Sequence, residues 1–186
     1  MDEIELLKSV GCPDWVIEHS KGVSRKAVEI ARNFDDVDVE LVRVGGLLHD
    51  IGRSKTSSIE HAVIGARMLE DMGYSKEIAN IVERHIGTGL DEDDARELGL
   101  PVKSYVPQTL EEKIVSHADN LFNGSQEIDV EFRVDNWKTK LGSDHPTDYQ
   151  FFTEDGFAPV VTVIDTNIST AEQDAIFEII GQKAGN

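Results

Sequence analysis

A mainly α-helical bundle followed by a less regular C-terminal extension is the fold this sequence predicts. Three observations carry it: apolar residues recur at helical spacing between Asp2 and Phe122, cap-type residues punctuate them, and the intervening loops are short. At 186 residues the chain can bury a core without staples, since a domain of about 150 residues hides roughly 70% of its unfolded surface.

Ile4, Leu6, Leu7 and Val10 share a helical face that stops at Gly11. Pro13 suits a first helical position, and Trp15, Val16, Val23, Ala27, Val28, Ile30 and Ala31 continue an apolar stripe to Phe34. Asp38 is placed to cap a helix carrying Val39, Leu41, Val42, Val44, Leu47 and Leu48, and Ser75 one carrying Ile78, Ala79, Ile81 and Val82. Ser57 with Glu60, and Thr109 with Glu112, have capping-box spacing. A short acidic helix is expected from Asp91 to Leu98, closed by Gly99 and Pro101. Leu110, Ile114, Val115 and Ala118 then repeat at helical spacing.

Beyond Phe122 two periods conflict. Ile128, Val130, Phe132 and Val134 alternate as in a strand, whereas Val130, Val134, Trp137 and Leu141 make a helical stripe behind Asp129; the helix over 129–141 is preferred. Residues 157–166, with the β-branched run Val160 to Ile164, are expected to be extended. Ser169 with Glu172 opens a final helix through Ile176, Phe177, Ile179 and Ile180. Gly142-Ser143 is the natural seam, dividing a bundle over 1–142 from an extension over 143–186 that is packed on it and is not an independent domain.

Charge and cysteine usage narrow the functions. Thirty-six acidic against 18 basic residues leave a net charge of −18, which disfavours duplex DNA, because affinity for that polyanion comes from Lys and Arg releasing counterions. Cys12 is the only cysteine, so no internal disulfide forms and a reducing, cytoplasmic setting is expected. The first residues lack the basic and apolar regions of a signal peptide, and no apolar run approaches the ~20 residues needed to cross a bilayer. A phosphate-bearing substrate would therefore need a local positive feature, such as a metal.

The histidines supply that possibility. His49 and Asp50 are adjacent at a helix end, followed by Ile51-Gly52. Neighbouring residues on a regular helix point about 100° apart, so both reach one metal only where the backbone unwinds, and Gly52 is read as the release. Gly45 and Gly46 cost a helix ~1 kcal/mol each relative to Ala, which implies a close neighbouring helix. His19, His61 and His85 fall on three other helices and Asp119 on a fifth, and bundles build metal sites from inward side chains of facing helices. His117, two positions before Asp119, points away from it and reads as a surface residue. His145 lies beyond the core, and the run Asp91 to Asp94 reads as a solvated helix start.

His19, the doublet His49-Asp50 with Ile51-Gly52, Glu60-His61 with Gly65, then His85, then Ala118-Asp119 form an ordered set that resembles the HD-domain superfamily of metal-dependent phosphohydrolases. The likeness is to its HDIG variant and to small archaeal and bacterial members, and spans roughly residues 13–142. The resemblance implies an HD-domain helical bundle; the C-terminal extension, read from its own residues, has room for a short strand pair. It implies that His19, His49, Asp50 and Asp119 hold one metal, with Asp50 bridging to a second held by His61 and His85. Some dinuclear relatives carry a further histidine where this chain has Ile86. Mixed imidazole and carboxylate ligation suits Mn, Fe, Co, Ni or Zn.

The activity implied is hydrolysis of a phosphomonoester or phosphodiester by metal-activated hydroxide. Within it, the likeness points to a phosphodiesterase acting on a small nucleotide such as a 2′,3′-cyclic monophosphate. Asp50 and Arg53 would be catalytic. Arg53 stands where many relatives have a lysine resembling a phosphate contact; it is a candidate for the same role, or for neutralising nearby carboxylates. Lys55 is a second substrate-binding candidate. Two alternatives stay open: a di-iron oxygenase, since some HD-fold proteins use the same ligand set for dioxygen, and a non-catalytic nucleotide- or RNA-associated metal-binding module.

Overall fold

The computed structural model describes residues 2–87 and 89–128, together with the backbone of a strand pair at 152–153 and 156–157. Seven helices run through the described residues: α1 (Glu3–Ser9), α2 (Asp14–Ala31), α3 (Val39–Leu48), α4 (His61–Asp71), α5 (Lys76–Glu83), α6 (Glu92–Glu97) and α7 (Leu110–Asn120). A 3₁₀ turn at Ile51–Ser54 separates α3 from α4. Two antiparallel pairs complete the order, β1 (Phe122–Asn123) with β2 (Gln126–Glu127), and β3 (Phe152–Thr153) with β4 (Gly156–Phe157). The second pair falls inside the expected extension. The expected helix over 129–141, the segment 157–166 beyond Phe157, the helix after Ser169, and His145 lie outside the described residues. Among the described residues no helix is long and apolar enough to cross a membrane.

The helices start where their side chains can satisfy orphan backbone N–H groups. Asp2 and Glu5 form a reciprocal capping box on α1, and Asp91 and Asp94 do so on α6. Asp38 accepts from the N–H groups of Glu40 and Leu41, and Ser75 from that of Ile78. Pro13 occupies the cap of α2 rather than its first turn. The Ser57 box does not form: α4 begins only at His61, with Glu60 as its cap. Glu60 pairs with Ser58 instead: the Ser58 hydroxyl donates to its carboxylate at 3.2 Å and accepts from its backbone N–H at 3.3 Å. Thr109 caps Glu112, but the Glu112 carboxylate turns to Arg84 and to the Gln108 N–H instead of returning to Thr109.

Helix α2 packs against both α3 and α7, α4 against α5 and the 3₁₀ turn, and α3 also against α5 and α7. One apolar cluster, including Leu7, Val16, Leu48, Ile51, Leu69 and Val82, ties α1 to α5. A second, including Val23, Ala27, Val42, Ile81, Ile114 and Phe122, seats α7 and β1 on α2. A third gathers Ile59, Ala62, Val63, Ile86, Leu90 and Tyr105 with α6. The pair of glycines in α3 is explained by proximity: a Cβ on Gly46 would stand 2.9 Å from the backbone Cα of Ser24 in α2, and one on Gly45 would meet Ile81 at 2.8 Å.

Two polar groups differ from expectation. His117 is half-buried rather than a surface residue. Burial pushes its imidazole down to about 4, and the Lys26 ammonium adds to this. Asp94, expected in a solvated helix start, is buried, which pushes its carboxyl up to about 6. These shifts have opposite linkage. As pH falls below the ordinary histidine value, the unfolded chain takes up the His117 proton before the native one does, so native stability is lost down to about 4. Asp94 instead favours the protonated native form, a gain that grows as pH falls through about 6. The expected result for His117 is a loss of about 2 kcal/mol between about pH 7.5 and 5. Urea denaturation should show His117→Gln lacking that part of the decline; an unchanged pH dependence would count against the assignment.

Candidate metal centre

Each predicted ligand sits at a place where its helix brings it inward. His19 lies within α2, His61 opens α4, Asp119 lies in the last turn of α7, and His85 follows α5 just past Arg84. His49 and Asp50 lie between the end of α3 and the 3₁₀ turn. His49 keeps helical dihedrals, φ −53 and ψ −37, and the backbone departs at Asp50, φ −100 and ψ 15. Gly52 is not the release. A Cβ there would lie 1.9 Å from the His61 carbonyl oxygen and 2.8 Å from the Gly65 nitrogen, so glycine is required because α4 crosses the turn in backbone contact. That crossing brings His61 to Asp50.

The four rings share one hydrogen-bond pattern. His19 Nδ1 donates to the Gly124 carbonyl at 2.7 Å, His49 Nδ1 to Gly46 at 2.9 Å, His61 Nδ1 to Ser58 at 2.7 Å and His85 Nδ1 to Val82 at 2.7 Å. A carbonyl only accepts, so each Nδ1 carries the proton and each Nε2 of a neutral ring presents a lone pair. Those lone pairs meet in twos: His19 and His49 Nε2 are 3.2 Å apart, as are His61 and His85 Nε2. Two acceptors at that distance repel unless a cation lies between them, either a shared proton or a metal ion.

Asp50 stands between the pairs. Its Oδ2 is 3.8 Å from His19 Nε2 and 3.7 Å from His49 Nε2, while Oδ1 is 3.1 Å from His61 Nε2 and 3.6 Å from His85 Nε2. Asp119 joins the first pair, with Oδ1 2.9 Å from His19 Nε2 and 3.6 Å from His49 Nε2. None of the six residues exposes more than 5% of its surface, and Asp50 Oδ2 is buried without a hydrogen-bond partner. A buried oxygen of that kind is costly unless something positive meets it. Burial pushes the Asp50 carboxyl up, but His49, His61, His85 and Arg53 together hold it well below the usual carboxylate range. Burial pushes His61 down to about 4 against the pull of Asp50, leaving a neutral ring suited to ligation.

The donors thus form two buried clusters of metal-ligating type. His19, His49 and Asp119 lie with ligand atoms within 4.8 Å of one another, as do His49, Asp50 and His85, so the halves are contiguous. The donor set fits divalent transition metals, and the unpartnered Asp50 oxygen is what an ion there would satisfy.

Arg53 is drawn inward. Its Nε lies 3.3 Å from Asp50 Oδ1 and its Nη1 donates to the Ser57 carbonyl at 2.6 Å. Lys55 is exposed. Ile86 is buried among apolar residues, so no polar group stands at that position. Cys12 is buried against the Ile51 carbonyl, and burial pushes its thiol up to about 11, so it is no nucleophile at neutral pH. Sequence reasoning missed Gly124, whose carbonyl holds His19. The signal was present as Gly124-Ser125, a two-residue hairpin loop with glycine first, and Gly124 takes φ +59 between β1 and β2. The hairpin reaches His19 because Gly22, one turn further along α2, leaves room for Phe122: a Cβ there would stand 2.6 Å from the ring.

Comparison with known proteins bears on the family and the fold. A model of the HD domain family matches residues 16–124. An uncharacterized protein of Methanocaldococcus jannaschii is 48% identical over 148 residues, 77% of this chain and 87% of that one. The tRNA (cytidine(56)-2'-O)-methyltransferase of Thermoplasma volcanium is 45% identical over 137 residues, which are 74% of this chain; the chain spans only 40% of that enzyme's length. Among solved structures, the HD domain of the L. monocytogenes phosphodiesterase PgpH superposes with a TM-score of 0.53 at 20% identity, covering 95% of each chain, a likeness of fold.

Proposed function

The chain belongs to the HD-domain family of metal-dependent phosphohydrolases, and on that premise we propose that it is a phosphodiesterase acting on a small nucleotide with a 2′,3′-cyclic phosphate. The observation that carries the reading is the pairing of Nε2 atoms at 3.2 Å on either side of Asp50, one pair facing each carboxylate oxygen. One divalent ion is assigned to His19, His49, Asp119 and Asp50 Oδ2, a second to His61, His85 and Asp50 Oδ1. Such an ion pair, when bound, lowers the pKa of water and neutralises phosphoryl oxygens.

The protein's own part is to hold these donors ready. The four Nδ1 contacts to carbonyls fix tautomer and ring plane, which raises ligand basicity. Arg53 fixes Asp50 through Nε, and its anchorage on Ser57 makes it a positioning residue; exposed Lys55 is the remaining candidate for contact with substrate phosphate. The substrate class is supported by the methyltransferase relative, whose own substrate is a tRNA, while the net charge of −18 favours a mononucleotide or short end over long RNA.

Manganese-reconstituted protein should be tested against 2′,3′-cyclic and 3′,5′-cyclic nucleotides, linear and cyclic dinucleotides, deoxynucleoside monophosphates and an aryl phosphodiester. The 2′,3′-cyclic compounds should give the highest kcat/KM, lost with a chelator and restored by metal. Metal-loaded protein that cleaves none of them, and shows a mixed-valence iron signal after aerobic purification, would replace this reading with the oxygenase one.

A further inference from the structure

Helix α7 turns a polar stripe toward the segment that carries His85. Glu112, Ser116 and Asn120 follow one another at four-residue spacing and so share one face. Both Glu112 carboxylate oxygens lie 2.9 Å from Arg84 Nη1. Ser116 Oγ donates to the Gly87 carbonyl at 2.8 Å, and Asn120 Nδ2 donates to the same oxygen at 2.6 Å. Residues 84–87 are therefore tied to α7 at both ends, with His85 between the ties.

That segment needs outside support. Helix α5 stops at Glu83, Arg84 leaves helical geometry at φ −109 and ψ 12, and Gly87 and Gly89 both take positive φ, +56 and +117. Glycines in such conformations contribute little intrinsic stiffness. The contact of His85 Nδ1 with Val82 orients the ring about the chain but does not fix where the chain lies. Two donors on one carbonyl do fix it, and they come from the helix whose Asp119 joins the other half of the centre. Both halves are thereby referenced to one rigid element.

We propose that Ser116 and Asn120 are positioning residues for His85, and through it set how tightly the second metal position is filled; this rests on the reading of His85 as a metal ligand. Among the described residues only His61, His85 and Asp50 Oδ1 serve that position, against four protein donors at the first, so displacement of His85 removes a third of those donors.

The test is calorimetric titration of metal-free protein with manganese, comparing wild type with Ser116→Ala, Asn120→Asp and the double variant. Each substitution removes a donor with little change in volume. The first equivalent should bind as in wild type, which also reports an intact fold, while the second should weaken about 10–100-fold in the double variant. Helicity by circular dichroism provides a second check on folding, and the single Ser116→Ala keeps the comparison open if the double variant does not fold. A second equivalent within about twofold of wild type would overturn the proposal and leave the ligand assignment standing. A wild type that takes up fewer than two equivalents would overturn the assignment, and this proposal with it.

Discussion

Asp50→Ala should empty both metal positions and reduce phosphodiester hydrolysis by about 10³-fold or more, the scale reached when a principal electrostatic anchor of a transition state is lost. Its two carboxylate oxygens face the two histidine pairs separately, and no other described side chain does so. Removing it also strands Arg53, whose Nε rests on Oδ1, and leaves a buried cation without its counter-charge, a costly state. His61→Ala is the contrast. It takes one donor from the second position and none from His19, His49 or Asp119, so one metal should remain. Elemental analysis after manganese loading separates the two variants; equal metal in Asp50→Ala and wild type would remove Asp50 from the centre.

Gly52→Ala is expected to destabilise the fold by more than about 3 kcal/mol, with a fall in Tm of about 6–12 °C for a chain of this size. The added methyl would stand 1.9 Å from the His61 carbonyl oxygen, so the 3₁₀ turn and α4 must part. Backbone cannot yield as a flexible side chain does, and Gly65, facing Gly52 across the crossing, has no side chain to move aside. The separation carries His61 away from Asp50, so the variant should also lose its second metal. A Tm within about 2 °C of wild type would show that the crossing is looser than its geometry.

The bundle was legible wherever order is local. The face ending at Gly11, the cap at Asp38, the cap at Ser75 and the acidic start at Asp91 all stand as the periodicity and cap chemistry predict. Ser57 and Thr109 show where that reasoning stops, because their partners are claimed by other groups: Glu60 pairs with the Ser58 hydroxyl, and Glu112 with Arg84. The residues that cluster around Asp50 were legible as an ordered set. Their supports were not, since contacts such as Gly124 to His19 or Asn120 to Gly87 join elements far apart in the chain and leave no local pattern. Gly52 was rightly singled out for the wrong reason: the signal was a glycine beside the ligands, and the cause is a helix backbone nine residues further on.

The charge of −18 sets the surroundings of the site and not its chemistry, since two divalent ions in the proposed centre would invert the local field whatever the surface carries. That makes the ions the point on which everything turns. Crystals grown with manganese, examined by anomalous scattering, should show two peaks per chain, one within ligand distance of His19, His49 and Asp119 and the other of His61 and His85, with Asp50 between them. No peak in this cluster, or manganese bound only elsewhere, would contradict the account.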